Sequence, residues 1–191
     1  YAGYFADVYS KTSVIVIAKF AEIVIMGLAF CMFFVGRIEW MLAVLFLIAA
    51  QSTLFSPAKY GILPEILPDR DLSRANGLLE MTTFAAIVLG TSFGSMLFAF
   101  WKDRVYLIGL VVIAIAVIGF LTSLGVTKVP ASGAVKKFSF NPWGEIITGT
   151  RRLYALPSLR LTVMGICYFM FLGQLLNMNM MLFSKEVLGS N

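Results

Sequence analysis

Five apolar stretches, each long enough to cross a bilayer, dominate this chain and leave little room for any other kind of fold. They run from Ser13 to Val35, Ile38 to about Ser56, about Ala75 to Trp101, Val105 to Thr127 and Leu161 to Phe183. A spanning helix needs about 20 predominantly apolar residues at 1.5 Å rise each. The runs are continuous, without the period-two alternation of a membrane barrel. Helices are then what satisfies every backbone group in lipid. Composition agrees, with 60% of the 191 residues hydrophobic and 13% charged, and a mean hydropathy of +0.89. A soluble domain carries about 45–50% apolar residues and about a quarter charged ones, and a chain of this size has too much surface to hide so much apolar material. The expected fold class is an all-α integral membrane protein.

Several chemistries are excluded at the same stage. The sequence has no histidine, which removes histidine acid–base catalysis, histidine metal ligands and the histidine pH switch. Cys31 and Cys167 lie in separate apolar runs without a CxxC pattern, so neither a disulfide framework nor a cysteine zinc site is expected. No catalytic residue, cofactor, metal or nucleic-acid partner is expected. The first residue is Tyr1, nothing near it has the regions of a signal peptide, and the chain reads as an internal stretch of a longer protein.

The basic residues orient the bundle. Alternating the connections places Lys11, Arg70, Arg74, Lys128, Lys136, Lys137, Arg151, Arg152 and Arg160 on the side of the N-terminus. Arg37, Lys102, Arg104 and Lys185 fall on the other. The excess assigns the first side to the cytoplasm by the positive-inside rule. The longest connection, Lys128 to Arg160, is then inside. Its first part, VPASGAVKK, reads as flexible. In NPWGEIITGTRRLYALP, Asn141 and Pro142 form a helix start. Trp143, Ile146, Ile147 and Tyr154 can share one face of that helix, away from Glu145, Arg151 and Arg152, as in a helix lying in the membrane interface.

Charges and amides inside the apolar runs are the strongest functional clues, because polar groups in lipid are costly and face a bundle interior or a wet cavity. Lys19 and Glu22 are three residues apart, on one helical face. They read either as a polar patch on a substrate path or as a self-neutralised structural pair. The segment FSPAKYGILPEILPDRDLSRANGLLE, Phe55 to Glu80, holds Pro57, expected to end or kink the second helix, followed by Lys59. Lys59 reads as a cation pointing into a cavity or as an ordinary positive-inside lysine that snorkels. Pro64 and Pro68 keep the next residues from extending the helix, and the third long helix is expected to begin near Asp69–Ser73. Tyr60, Ile62, Leu63, Ile66 and Leu67 among these prolines suggest a loop packed on protein. Gly90 and Gly94 form a GxxxG suited to close helix packing. In the fifth run Gln174, Asn177 and Asn179, beside Gly173, need partners in lipid, for binding or for structural hydrogen bonds.

The opening GYFADVYSKT, turn-like in composition, resembles the signature loop between the second and third helices of the major facilitator superfamily. Gly3, Ala6, Asp7 and Lys11 stand where that motif expects them, while Val8, Ser10 and Thr12 depart from its usual arginine, glycine and basic residue. The stretches SPAKYGILPEIL and ANGLLEMTTFAAIVLGT, with FAEIVIMGLAF and YFMFLGQLLNMN, are more specific. They resemble bacterial lysophospholipid transporters, and most of all the transporter portion of proteins that fuse this carrier to a 2-acylglycerophosphoethanolamine acyltransferase. The resemblance covers essentially the whole chain, from the end of helix 2 through helix 7 of twelve. It implies residues 1–127 as part of the N-terminal six-helix half, 128–160 as the cytoplasmic connection between halves with its amphipathic helix, and 161–191 as the first helix of the C-terminal half.

The resemblance further implies a carrier of lysophospholipids such as lysophosphatidylethanolamine across the bacterial inner membrane, for re-acylation on the cytoplasmic side, by alternating access. Gly3, Asp7 and Lys11 would form a conformational latch. On the resemblance Lys59 would hold the phosphate; Lys19, Glu22, Glu80, Gln174 and Asn177 are further substrate-binding candidates as polar groups within the apolar runs. In the stand-alone transporters an arginine stands in the helix matching Leu161–Phe183; here Asn177 takes that place. The expected partners are the lysophospholipid, membrane lipids and a fused or associated acyltransferase. The alternative is a drug or small-solute exporter of the same superfamily, although proton-coupled exporters usually carry an arginine in the fourth helix and Ile38–Ser56 has only Gln51 in its inner half. The acyltransferase reaction itself needs a His–Asp motif that this chain lacks. A purely structural subunit would leave Lys19, Glu22, Lys59 and Glu80 unexplained.

Overall fold

The computed structural model describes residues 2–131 and 142–186. Lys136, Lys137 and Asn141 fall outside the described residues. The helices are α1 (Ala2–Val8), α2 (Lys11–Val35), α3 (Ile38–Gly61), α4 (Leu63–Ile66), α5 (Asp69–Trp101), α6 (Val105–Ser123), α7 (Pro142–Ala155) and α8 (Pro157–Glu186). A single 3-10 turn, Lys102–Arg104, joins α5 to α6, and no strand occurs among the described residues. By length and composition four stretches can cross a membrane: Lys11–Met32, Ile38–Ile66, Asp69–Ser123 and Pro157–Asn179. The third contains both α5 and α6, so five long helices account for the five apolar runs.

The chain forms two compact units, Tyr1–Lys137 and Phe138–Asn191. In the first, α2 packs along both α3 and α6, and α1 packs on α3. Ile15, Ala58 and Ile62 form the buried centre of one end, with Val14, Phe55, Val126 and Val129 against it. Ala58 is fully buried, since a methyl group lets α2 and α3 approach closely. Backbone turns set the helix ends. Gly36 closes α2 in the left-handed region (φ 64°), its N–H donating to the Met32 carbonyl at 3.1 Å. That conformation favours glycine and permits the two-residue connection to α3. In the second unit α7 packs on α8.

Three local expectations need correction. The turn-like opening is largely helical: Ala2–Val8 forms α1 and breaks only at Tyr9–Ser10. Its alanines favour helix, and α3 supplies a packing surface. Ser10 then caps α2, its hydroxyl accepting from the Ser13 N–H at 3.5 Å. Pro57 does not end the second long helix, which runs on to Gly61. Proline removes one backbone donor and disturbs one turn, and the contacts of Ala58 and Ile62 with α2 hold the helix together across that loss. Lys59 is consequently a helix residue, in the last turn of α3, where a cation complements the helix dipole. The fourth run, read as reaching Thr127, stays helical only to Ser123 and continues in a turn and an extended segment. Pro68 caps α5, which starts at Asp69 as expected. At 33 residues, α5 is about 50 Å long, well beyond the roughly 30 Å hydrocarbon core. Its polar first turns therefore stand outside the hydrocarbon.

Candidate functional site

The start of α2, the ends of α3 and α6, and α4 meet at one end of the first unit. Lys11 Nζ forms an ion pair with Glu65 of α4. Its stem crosses Gly61, where an added Cβ would lie 3.0 Å from Lys11 Cε. Ser10 Oγ donates to the Val129 carbonyl at 2.6 Å. Thr12 Oγ1 donates to the Thr127 carbonyl at 2.8 Å and accepts from the Val129 N–H at 3.1 Å. Ser10 and Thr12, two of the three departures from the signature loop, thus tie α2 to the segment after α6. This meeting also shows that Lys11 and Lys128 share an end, as the alternation of connections requires. Gly3 and Asp7 lie on α1, within a few residues of Lys11.

On the neighbouring face, Lys59 and Tyr60 of α3 reach α5. Lys59 Nζ donates to Thr83 Oγ1 at 2.8 Å. Thr83 gives its own hydroxyl proton to the Leu79 carbonyl at 2.6 Å, so its oxygen is left as the acceptor. Tyr60 Oη donates to Glu80 Oε1 at 2.6 Å, and Lys59 Nζ stands 5.4 Å from the centre of the Tyr60 ring, within cation–π range. Glu80 and Thr83 are one turn apart on α5, so two adjacent residues of α3 meet two residues on one face of α5. An ammonium has three donors and a carboxylate several acceptor positions. Each group therefore keeps capacity beyond its single hydrogen bond. No ion pair joins Lys59 to Glu80.

Lys19 and Glu22 go elsewhere. Lys19 Nζ pairs with Glu22 Oε2 at 2.7 Å, both side chains about three-quarters buried. The ammonium lies 4.9 Å from the centre of the Phe55 ring, and an added Cβ at Gly119 would sit 3.8 Å from the Lys19 stem. The pair is thus packed among α2, α3 and α6, with no hydrogen bond or ion pair to Lys59 or Glu80 among the described residues. Gln51 is buried and donates to the Ala18 carbonyl at 3.0 Å, a structural bond between α3 and α2. Gln174 and Asn177 lie exposed on α8 in the second unit, where Asn179 donates to the Leu175 carbonyl of its own helix at 2.9 Å. Nothing lies within 4 Å of a Cβ built at Gly90 or Gly94, so their face of α5 has no partner among the described residues. An apolar cavity of about 270 Å³, lined by Met26, Met32, Met41, Val44, Ile108 and Val112 among others, occupies the opposite end of the α2–α3–α6 unit. Among the described residues no cluster of histidine, cysteine, aspartate and glutamate could hold a metal.

The sequence profile of the Major Facilitator Superfamily matches residues 1–191. The chain belongs to the Major Facilitator Superfamily. It is a multi-pass membrane protein. A lysophospholipid transporter LplT of Klebsiella pneumoniae subsp. pneumoniae is 31% identical over 194 residues, 99% of this chain and 46% of that protein. The lysophospholipid transporter LplT of Cronobacter sakazakii is 31% identical over 195 residues, with the same coverage of each chain. That of Yersinia pestis is 34% identical over 146 residues, 75% of this chain and 35% of that protein. The chain thus spans about half the length of the first two relatives. No solved structure matches.

Sequence reasoning singled out Lys59 and Glu80 but missed Thr83, the hydroxyl role of Tyr60, and Glu65. A signal for Thr83 existed in its i+3 spacing from Glu80. None existed for Glu65, whose partner is distant in sequence.

Proposed function

We propose that the protein carries single-chain phospholipids such as lysophosphatidylethanolamine across the bacterial inner membrane, for re-acylation by a fused or associated acyltransferase. The observation that carries this reading is the Lys59 ammonium, half-buried at the inner end of α3 with donors beyond the one given to Thr83. A compact ammonium offering several donors suits phosphate oxygens. The names of the relatives support the same substrate class. Movement follows alternating access, with two repeat halves rocking about a midplane site, of which this chain supplies most of the N-terminal half and the first helix of the other. The head group crosses through a wet cavity while the acyl chain stays in lipid, which spares the head group its desolvation cost in hydrocarbon.

Gly3, Asp7 and Lys11 serve as the cytoplasmic latch in this scheme, the Lys11–Glu65 ion pair holding the start of α2 against α4. Gln174 and Asn177 contribute amides from the next half. Lys19 and Glu22 are the weaker substrate candidates, because each already neutralises the other.

The test is uptake of labelled lysophosphatidylethanolamine by spheroplasts. A charge-assisted hydrogen bond contributes about 1.5–3 kcal/mol. Lys59→Ala should therefore lose about tenfold to a hundredfold in affinity, while Lys59→Arg keeps part of it. Wild-type uptake by a well-inserted Lys59→Ala protein would reduce Lys59 to an orienting charge.

A further inference from the structure

We propose that Glu80 is a specificity-determining residue, taking the ammonium of a zwitterionic head group whose phosphate lies on Lys59. This inference rests on the phosphate role of Lys59 proposed above and adds the second pole of the ligand. Lys59 and Glu80 are opposite charges on α3 and α5, two helices linked by side-chain hydrogen bonds, yet they do not neutralise each other: no ion pair within 4 Å joins them. Instead the ring of Tyr60 separates them. The ammonium stands over its face at 5.4 Å, and the carboxylate accepts from its hydroxyl at 2.6 Å. A cation and an anion held apart by one side chain, each with unused hydrogen-bonding capacity, form a dipolar receptor.

The matching ligand has a phosphate and an ammonium separated by a short linker. In a phosphoethanolamine head group two carbons lie between the phosphate ester oxygen and the amine. The phosphate offers acceptors to the free donors of Lys59, and the primary ammonium offers donors to Glu80 Oε2. Tyr60 restrains the carboxylate through Oε1, so that Glu80 faces the ligand in one orientation. A glycerol head group bears hydroxyls and no cation, and would leave the carboxylate without its counter-ion.

The intact protein in spheroplasts provides the test, with labelled lysophosphatidylethanolamine and lysophosphatidylglycerol as separate probes. Glu80→Gln should lower lysophosphatidylethanolamine uptake about tenfold or more, the scale of a lost charged hydrogen bond, and leave lysophosphatidylglycerol uptake at or above the wild-type rate. Tyr60→Phe, which keeps the ring and removes only the hydroxyl, should give a smaller loss confined to the same lipid. It also decides the matter if Glu80→Gln inserts poorly. Equal losses on both lipids, or no loss on either, would overturn the role of Glu80. Lys59→Ala distinguishes the underlying reading: it should impair both lipids alike, whatever Glu80 does. A wild-type protein that takes up neither lipid overturns both readings.

Discussion

Lys19 and Glu22 illustrate how a membrane protein keeps charge inside an apolar bundle. Neither side chain is isolated: each is the other's counter-ion at 2.7 Å, and the ammonium also faces the Phe55 ring. Breaking such a pair leaves one partly buried charge without compensation, which costs more than removing both charges together. Lys19→Met and Glu22→Met should each lower thermal stability in detergent by about 1–3 kcal/mol. The double change Lys19→Met with Glu22→Met should recover most of that loss, a coupling that a double-mutant cycle measures. Transport by the double variant should stay near wild type. If the doubly substituted protein folds but carries no lysophospholipid, the pair belongs to the substrate path instead.

At the scale of elements, α7 has the apolar face expected of it, with Arg151 on the flank beside Ile147 rather than away from that face. Trp143, Ile146, Ile147 and Tyr154 are all exposed within the second unit, and at 100° per residue they fall on one side, with Thr148 and Arg152 opposite. Leu156 alone separates α7 from α8, whose Pro157–Asn179 stretch can cross the membrane. We propose that a helix tethered so closely to a membrane span lies at the bilayer surface, with its apolar face in the interface between head groups and acyl chains. With Trp40 and Trp101 replaced by Phe, Trp143 fluorescence should be quenched by brominated lipid in reconstituted vesicles. Ile146→Glu combined with Ile147→Glu should abolish most of the quenching, since burying an aliphatic side chain contributes about 1.5–3 kcal/mol. Quenching that survives both changes would mean that α7 is held by protein rather than by lipid.

For the whole molecule, the direction of the bundle governs every functional assignment. The ties of Ser10 and Thr12 to Val129 and Thr127 bring the start of α2 and the segment after α6 to one end. Lys102 and Arg104, in the turn just before α6, therefore belong to the other. With Cys31 and Cys167 replaced, a cysteine at position 102 should react with an impermeant thiol reagent added to intact cells. One at position 152 should react only after the membrane is opened. Labelling of position 152 from outside would invert the bundle and place Lys59 at the outer mouth.

The apolar runs by themselves determined the helical membrane class, the number of long helices and some of their ends, because lipid imposes one requirement on every residue of a span: its backbone must bond within its own helix. That requirement is local, and so it is legible in a linear string. The family motifs added Lys59, Gly3, Asp7 and Lys11 as candidates in the same linear way, and Glu80 stood out as a charge within an apolar run. Partners were decided by the tertiary structure alone. Glu65 meets Lys11 across 54 residues of chain, Gln51 meets the Ala18 carbonyl, and Thr83 meets Lys59 across 24. Even the end of α3 was a tertiary matter, since packing of Ala58 and Ile62 on α2 carries the helix past a proline that would stop it in isolation. Which groups share a site depends on how the rotation of one helix meets that of its neighbour. Periodicity gives each helix a face, but the contacts between helices decide what that face opposes.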